Sequence, residues 1–241
     1  MDALIYTLMS GADRAMRAQQ VHANNLANID TAGFRANLEL ADSNKVEGYG
    51  YDTRYMSQLQ ADSLSMRAGT ARETGNPLDV AIQGDGLLAV QTASGEAYTR
   101  GGPLMLDAEG TVLLNNRPVM GDNGPIVLPE HTAVQIGEDG SVQILPPGEQ
   151  NLQTIDRLRL VRGEPGSLTK NSDGLIVARN GADLPADDTV RVRSGFIEGS
   201  NVSAVEEMVA TMSLNREFEI QMKLYKSADS MADSGNRLVR D

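Results

Sequence analysis

The stretch that decides the fold of this chain spans residues 23–35 and runs Ala23-Asn24-Asn25-Leu26-Ala27-Asn28-Ile29-Asp30-Thr31-Ala32-Gly33-Phe34-Arg35. Asn, Asp, Thr and Gly are crowded there, and these residues favour helix caps, turns and left-handed backbone. The stretch predicts that a helix ends near Asn28 and that the chain then turns sharply. Gly33 is expected to tolerate the positive φ or the close backbone approach of that turn.

An amphipathic helix precedes the turn. From Met1 to about Asn28, apolar residues recur at three- and four-residue steps, which places them on one stripe of an α-helix. The members of this predicted stripe are Leu4, Leu8, Ala12, Ala15, Ala23 and Leu26. Such a stripe needs an amphipathic partner, which can come only from the far C-terminus or from another molecule.

A second helix closes the chain. It is predicted to open at Ser203, because Glu206 completes a capping box there, and to run toward Arg240. Its apolar residues lie on two faces, the first with Val205, Met208, Val209 and Met212 and the second with Leu214, Phe218, Met222 and Tyr225. A helix with one neighbour needs one stripe, so this helix is expected to have more than one neighbour.

The middle of the chain, from Pro77 to about Val192, is predicted to be antiparallel β-structure. Its short β-prone runs are Leu87–Val90, Val112–Leu114, Ile126–Leu128, Val134–Ile136, Val142–Leu145, Leu158–Val161, Leu175–Val177 and Val190–Val192. The turn signals between them are Asp85-Gly86, Ser94-Gly95, Glu109-Gly110, Asp122-Asn123-Gly124, Asp139-Gly140, Asp173-Gly174 and Asn180-Gly181. Strands and helices do not alternate, which argues against a parallel nucleotide-binding sheet.

The predicted fold class is therefore α+β, with an N-terminal helix, a C-terminal helix and an antiparallel β-rich domain between them. Four segments follow from this interpretation. They are the N-terminal helix (residues 1–33), an extended connecting arm (34–76), the β domain (77–195) and the segment of the C-terminal helix (196–241).

Composition excludes several classes of function. The 241 residues include 21 Lys and Arg against 33 Asp and Glu, and the net charge of −12 argues against nucleic acid or an anionic membrane surface as main partner. The absence of Cys removes disulfides, thiol catalysis and thiolate metal sites. No stretch approaches the ~18–20 apolar residues of a membrane span, and we expect no cleaved secretory signal.

Candidate catalytic and metal-binding residues are few. His22 and His131 have neither a Ser-His-Asp pattern nor metal-ligand spacing around them, so surface or packing roles are expected. Asp139 and Asp173 lack the twelve-residue Ca²⁺ loop pattern, and hairpin turns explain both. No catalytic residue, metal site or cofactor is predicted.

Three parts of the chain carry a resemblance to a known family. The quoted stretch at residues 23–35 resembles the N-terminal signature of bacterial flagellar rod, hook and hook-associated proteins. Residues 197–202, Ile197-Glu198-Gly199-Ser200-Asn201-Val202, resemble the C-terminal signature of that family, together with Val205, Glu206, Met208, Arg216, Phe218 and Glu219. Between them, Leu78–Ile82, Tyr98-Thr99-Arg100 and Gly124-Pro125-Ile126 are similar to motifs of the rod and hook branch.

The resemblance implies a structural subunit without enzymatic activity. In this family the terminal helices pair as a coiled-coil-like inner domain that lines a hollow filament, with the β domain outside. The chain would be an axial subunit of the flagellar basal-body rod, spanning the periplasm, transmitting torque and enclosing the export channel. The opening Met1-Asp2 with Ile5-Tyr6, and the length, favour a proximal rod subunit over a distal one. A secreted β-rich binding module is the alternative from another class.

The partners implied by the resemblance are other rod subunits, copies of this chain and the flagellar type III export apparatus. Two assembly motifs are carried over. The N-terminal motif comprises Asn24, Asn25, Leu26, Ala27, Asn28, Thr31, Gly33 and Phe34. The C-terminal motif comprises Glu198, Ser200, Asn201, Val202, Val205, Met208, Met212, Arg216, Phe218 and Met222.

Overall fold

A computed structural model of the chain describes residues 2–45 and 55–240. They fall into two compact units. The helix-pair unit comprises Met1–Ala27, Asn37–Asp62 and Ser203–Asp241, and the β unit comprises Asn28–Ala36 and Ser63–Val202. The α+β class predicted from the sequence is confirmed, because two long helices are present together with antiparallel strands.

The helix-pair unit contains helices α1 (Asp2–Ala27) and α2 (Ala204–Arg240), strand β1 (Asn37–Lys45) and most of strand β2 (Tyr55–Leu64). Strands β1 and β2 pair as a two-stranded sheet, and the last two residues of β2 belong to the β unit. Both predicted helices are present. The segment 196–241 is helical only from Ala204, because Phe196–Glu198 forms a strand of the β unit. The Ser203 Oγ accepts a hydrogen bond from the Glu206 amide at 3.4 Å, which is one of the two hydrogen bonds of a capping box.

The face that α1 buries differs in part from the predicted stripe. Ala15 is buried as predicted, but Leu26 is exposed, whereas Ala18 and Asn25 are almost completely buried. The small side chain of Ala18 allows α2 to approach closely, and Asn25 is buried because its amide is hydrogen-bonded. Hydropathy periodicity weights large apolar residues, so it shifts the predicted face away from these positions.

The segment predicted as an extended arm contains three strands. They are β1, β2 and β3 (Ala71–Glu73), of which β3 belongs to the β unit. The tyrosines at positions 49 and 51 lie outside the described residues. Extended backbone is thus present, but it is organised into paired strands.

The β unit contains strands β3 to β19 and one short 3-10 helix, Pro165–Ser167. The strands after β3 are β4 (Asp79–Gln83), β5 (Gly86–Thr92), β6 (Gly95–Thr99), β7 (Gly101–Leu106), β8 (Val112–Leu114), β9 (Arg117–Pro118), β10 (Met120–Gly121), β11 (Gly124–Pro125), β12 (Ala133–Ile136), β13 (Ser141–Leu145), β14 (Gln153–Arg157), β15 (Leu160–Arg162), β16 (Leu168–Lys170), β17 (Ile176–Ala178), β18 (Arg191–Ser194) and β19 (Phe196–Glu198).

Every strand pairing in the β unit is antiparallel. One five-stranded sheet has the order β15-β5-β6-β17-β16 and the other has the order β18-β4-β7-β8-β9. The smaller sheets are β12-β13-β14, β10-β11 and β19-β3. The last of these pairs Ile197 with Arg72 and so ties the C-terminal motif to the β unit.

Two apolar clusters form the core of the β unit. Leu88 belongs to the larger cluster, with Val80 and Leu104, and its neighbour Leu87 belongs to the smaller one, with Tyr98. Successive residues of a strand point to opposite faces, so β5 is covered on both sides. This explains why its sequence is continuously apolar rather than alternating.

The predicted turn signals are confirmed with one correction. Positive φ is present at Gly95, Gly110, Gly124, Gly140, Gly174 and Gly181. The turn before β5 instead uses Gly84, with a φ of +71°, because Gly86 is already the first residue of the strand. The predicted strand Ile126–Leu128 is also absent, although Ile126 and Leu128 are buried in the core.

The helix-pair unit is expected to be the less stable part of the free monomer. Its apolar core consists of Ala15, Ala18 and Leu214, with Phe218 packed against them. Few buried apolar contacts mean a low free energy of local opening. Amide hydrogen exchange of dilute monomer should therefore be fast along α1 and α2 and slow in β4 to β8. Slow exchange throughout both helices would contradict this prediction.

Candidate functional site

The segment after α1 makes the turn that the sequence predicts. The Thr31 amide donates to the Asn28 carbonyl at 3.2 Å, and the Phe34 amide donates to the Thr31 carbonyl at 3.3 Å. Gly33 has a φ of +68°, which confirms the predicted left-handed position. Its amide donates to the Glu198 carbonyl at 2.8 Å. A residue of the C-terminal motif therefore holds the N-terminal motif directly.

A buried ion cluster joins the two motifs inside the β unit. Arg35 Nη2 lies 2.7 Å from Glu198 Oε1, and Arg100 Nη2 lies 2.9 Å from Glu198 Oε2. The Gly69 amide also donates to Glu198 Oε1, at 2.7 Å. The three charged residues are at most 4% exposed. We call Arg35, Arg100 and Glu198 the Glu198 clasp.

The Glu198 clasp places two positive charges against one negative charge. Arg100 also donates to the carbonyl oxygens of Ile82, at 3.0 Å, and of Gly86. Arg35 Nε and Nη1 have no hydrogen-bond partner among the described residues. Burial lowers the pKa of the Arg100 guanidinium, and the Glu198 carboxylate opposes that shift. Because an unpaired buried charge costs several kcal/mol, Glu198 is the group that makes both guanidinium groups tolerable in the interior.

Hydrogen bonds of Asn201 also connect the N-terminal motif with the C-terminal motif. Its Oδ1 accepts a hydrogen bond from the Ala36 amide at 2.7 Å, and its Nδ2 donates to the Ser65 and Arg67 carbonyls at 2.9 Å each. Its backbone amide donates to the Phe34 carbonyl at 3.2 Å. Because both the oxygen and the nitrogen of its side-chain amide are hydrogen-bonded, Asn201 holds the surrounding backbone in one conformation. Asn201 therefore sets the distance between residues 34–36 and residues 198–202.

Two further motif residues have local roles in the β unit. The Phe34 ring lies 3.6 Å from Lys170 Nζ, a cation–π distance. Lys170 Nζ also donates to the Arg35 carbonyl at 2.6 Å. Ser200 Oγ accepts a hydrogen bond from the Val202 amide at 3.3 Å. These contacts stiffen the backbone on both sides of the Glu198 clasp.

In the helix-pair unit, Asn25 connects α1 with α2 and with β1. Its Oδ1 accepts from the Asn37 amide at 2.8 Å, and its Nδ2 donates to the Asn37 carbonyl at 3.0 Å and to Glu207 Oε1 at 3.1 Å. Asn24 Oδ1 accepts from Asn37 Nδ2 at 3.3 Å. His22 Nδ1 lies 2.5 Å from Glu207 Oε2. Glu207 of α2 therefore engages two polar residues on one face of α1.

Farther along the helix pair, polar and apolar contacts alternate. Arg14 Nη2 lies 2.7 Å from Glu217 Oε1, and Arg14 Nη1 lies 3.8 Å from Glu39 Oε1. Phe218 is half-buried against Ala15 and its neighbours. Phe218 is thus placed on the face of α2 that packs against α1.

The other predicted face of α2 is largely exposed. Val205, Met208, Val209 and Met212 are between 48% and 68% exposed. Arg216, Leu26 and Ala27 are exposed as well, and Met222 lies at the edge of the helix contact. The two faces of α2 therefore differ, since one contacts α1 and the other is free in the described structure.

Nothing in the described ranges, residues 2–45 and 55–240, resembles a metal centre, because no three His, Asp or Glu side chains converge. His131 is exposed, and its Nδ1 lies 2.7 Å from the Pro129 carbonyl. Neither described helix combines the length and the apolar character needed to cross a membrane.

Sequence reasoning missed two of the three members of the Glu198 clasp. Arg35 and Arg100 both lie within the motifs that carry the resemblance, yet neither was predicted to be a site residue. Glu207 was missed as well. The available signal was a charged residue within a motif of small, turn-forming and apolar residues. The partner of that residue could not be identified, because Arg35 and Glu198 are 163 residues apart in the sequence.

Three sequence-family models match the chain. Residues 5–35 match the flagella basal body rod protein family, and residues 81–144 match the flagellar hook protein FlgE/F/G D1 domain. Residues 193–238 match the C-terminal family of the flagellar basal body rod FlgEFG proteins. The first and last matches include the two segments that the Glu198 clasp joins.

Curated relatives match along nearly the whole chain. The flagellar basal-body rod protein FlgF of Escherichia coli is 40% identical over 248 residues, which cover 99% of each chain. FlgF of Salmonella typhimurium is 38% identical with the same coverage. The flagellar basal-body rod protein FlgG of Borreliella burgdorferi is 28% identical over 98% of each chain. The chain therefore belongs to the flagellar basal-body rod protein family and resembles its FlgF members along its whole length.

Proposed function

We propose that this chain is a structural axial subunit of the flagellar basal-body rod, in its proximal part. Copies assemble helically into the hollow drive shaft that transmits torque and encloses the export channel. The observation that carries the proposal is the two-faced helix α2, which packs one face against α1 and leaves a second apolar face exposed. The identities of 40% and 38% to the FlgF proteins of Escherichia coli and Salmonella typhimurium, against 28% to the FlgG protein of Borreliella burgdorferi, favour the proximal over the distal rod.

A helical filament requires such an arrangement. Its contacts are heterologous and do not close, so each subunit must present at least two different surfaces to its neighbours. A contiguous row of exposed Val and Met side chains on one helix face is typical of a surface that binds another protein.

We also propose a route and a set of partners. The subunit is exported unfolded by the flagellar type III apparatus and joins the part of the rod that spans the periplasm. Its partners are other rod subunits and copies of itself. A chain without Cys can refold in an oxidising compartment without forming wrong disulfides. The proposed role involves no catalysis and no cofactor.

The direct test is the position of the protein in isolated basal bodies. An epitope inserted at the exposed turn around Gly148 should be detected on the rod, near its inner end, by immunogold labelling. Labelling of the outer rod would favour the distal alternative. Absence of the protein from basal bodies of motile cells would refute the proposal.

A substitution on the helix contact tests the role of the helix pair. Truncating a buried Phe to Ala costs about 3–5 kcal/mol, and a half-buried ring costs part of this. Because Phe218 packs against Ala15 and Ala18, Phe218→Ala should loosen the helix pair in every subunit. We expect loss of rod incorporation and of motility while the β unit stays folded.

The matched control is Met105→Ala, which truncates an exposed apolar side chain of the β unit. This variant should be incorporated normally. Normal rods and motility in the Phe218→Ala strain would contradict the assignment of that helix face to assembly.

A further inference from the structure

Exposed methionine is concentrated in the helix-pair unit. In the described part of the β unit, Met105 alone is exposed, whereas Met66 and Met120 pack against the smaller core cluster. The exposed methionines of the helix-pair unit are Met56 and, on the two helices, Met9, Met16, Met208, Met212, Met222 and Met231. The chain therefore presents its thioether sulfur atoms to water mainly on α1 and α2.

Two of these methionines are neighbours on the exposed face of α2. Met208 and Met212 are four residues apart, and side chains at that spacing adjoin each other on a helix surface. Met208 is 48% exposed and Met212 is 62% exposed. We call them the α2 methionine pair. Both sulfur atoms are open to a dissolved reactant in the free subunit.

An exposed thioether reacts with hydrogen peroxide. The sulfur attacks one peroxide oxygen, so that an S–O bond forms, the O–O bond breaks and the second oxygen leaves as water. The sulfur is oxidised by two electrons to the sulfoxide, and the peroxide is reduced. Because the chain contains neither Cys nor Trp, its thioethers are its most readily oxidised groups. Methionine sulfoxide reductases, which take their electrons from thiols, convert the sulfoxide back to the thioether and water.

Oxidation changes what the exposed face of α2 can contact. Val205 and Val209 accompany the α2 methionine pair on this face and are also exposed. As long as all four side chains are apolar, the face can be buried against another protein, and the flexible thioethers can adapt to its shape. A sulfoxide adds a polar oxygen, which is costly to bury without a hydrogen-bond partner. Two neighbouring sulfoxides therefore make this face unfit for an apolar contact.

We propose that the α2 methionine pair is a site of reversible oxidation by hydrogen peroxide, and that the sulfoxide form of the chain is not incorporated into the rod until it is reduced. This inference rests on the proposed function, because incorporation into the rod is the step that oxidation blocks. It adds a chemical modification, with a named oxidant, that regulates this step.

Met105 is an internal control for this modification, because it is 63% exposed, like Met212, but lies in the β unit. Cells are treated briefly with hydrogen peroxide while they make an epitope-tagged subunit. Peptide mass spectrometry then measures the sulfoxide in the secreted and basal-body fractions. We expect about ten-fold less Met212 sulfoxide in basal bodies than in the secreted pool, because the loss of one apolar contact weakens binding by about that factor. Met105 sulfoxide should be no lower in basal bodies. Equal Met212 sulfoxide in the two fractions overturns the inference.

A double variant, Met208→Leu with Met212→Leu, separates exclusion of the oxidised chain from protection of methionine after assembly. Leucine keeps the apolar volume but forms no sulfoxide. Peroxide should therefore lower incorporation of the wild type and leave incorporation of the double variant unchanged. Met105→Leu is the matched control and should respond like the wild type. An equal fall in the wild type and the double variant overturns the inference, while the proposed function stands.

A polar substitution tests the same site without peroxide, and it decides the case if the double Leu variant is not incorporated. Met212→Gln should lower incorporation by about ten-fold, whereas Met105→Gln should not change it. Normal incorporation of Met212→Gln overturns the inference. In peroxide-treated wild-type cells, a secreted methionine sulfoxide reductase should restore incorporation, and failure to do so overturns the reversibility. Absence of the wild-type protein from basal bodies of untreated cells refutes the proposed function itself.

Discussion

Replacing Glu198 by Ala is expected to lower the free energy of unfolding of the β unit by about 3–5 kcal/mol. The change leaves two guanidinium groups, those of Arg35 and Arg100, buried without a counter-charge. It also removes the acceptor of the Gly69 amide. A loss of this size is a large fraction of the ~5–15 kcal/mol that stabilises a typical protein.

The two-to-one charge ratio of the Glu198 clasp predicts an order among variants. Arg35→Met should cost less than Glu198→Ala, because it leaves the neutral pair of Arg100 and Glu198 and removes two unpaired donor groups. Glu198→Gln should fall between them, since it retains one acceptor oxygen and the shape of the side chain but loses the charge.

Urea denaturation of the full chain, followed by circular dichroism, measures these differences. Glu73→Ala is the control, because Glu73 is an exposed carboxylate on the strand next to β19. It should change the free energy of unfolding by less than about 0.5 kcal/mol. If Arg35→Met destabilises the protein more than Glu198→Ala does, the charge argument is wrong.

The parts of the fold with a local cause could be predicted from the sequence. The end of α1 follows from the crowding of Asn, Asp and Gly at residues 24–33, and the positive φ of Gly33 follows from the turn that such residues form. The start of α2 follows from the capping box at Ser203. Each of these features depends on contacts within a few residues.

The buried face of α1 could not be predicted, because its causes are not local. Ala18 is buried since a small side chain lets α2 approach, and Asn25 is buried since Asn37 and Glu207 satisfy its amide. Leu26, which hydropathy places on the buried stripe, is exposed. Periodicity measures apolar character and does not detect close approach or polar partners.

The Glu198 clasp shows the same limit. The resemblance places Glu198 in a motif, but it does not show which residues pair with it. Arg100 and Arg35 precede Glu198 by 98 and 163 residues in the sequence, and only the tertiary fold brings them into contact with it. An isolated Arg or Glu in a sequence is expected at the surface. Only the three-dimensional arrangement shows that these three are buried together.

Gly33→Val is expected to abolish incorporation into the rod while the protein is still exported. Gly33 has a φ of +68°, where a β-branched residue is strained by about 1–3 kcal/mol. A Cβ at this position would also lie 3.1 Å from the Gly101 carbonyl oxygen and 3.2 Å from Arg100 Cβ. The substitution therefore disturbs both the turn and a member of the Glu198 clasp.

Gly84→Val is the control that separates backbone strain from steric contact. Gly84 has a similar φ of +71°, but a Cβ added there would meet no atom within 4 Å. It carries the backbone strain without the contact with Arg100, and we expect it to be incorporated. Immunoblots of secreted and basal-body fractions measure the outcome. The Gly33→Val chain should accumulate as secreted, unincorporated protein, because its two motifs cannot adopt the spacing that assembly requires. If the Gly33→Val chain is instead found in basal bodies at wild-type levels, the prediction is wrong and position 33 accepts a branched side chain.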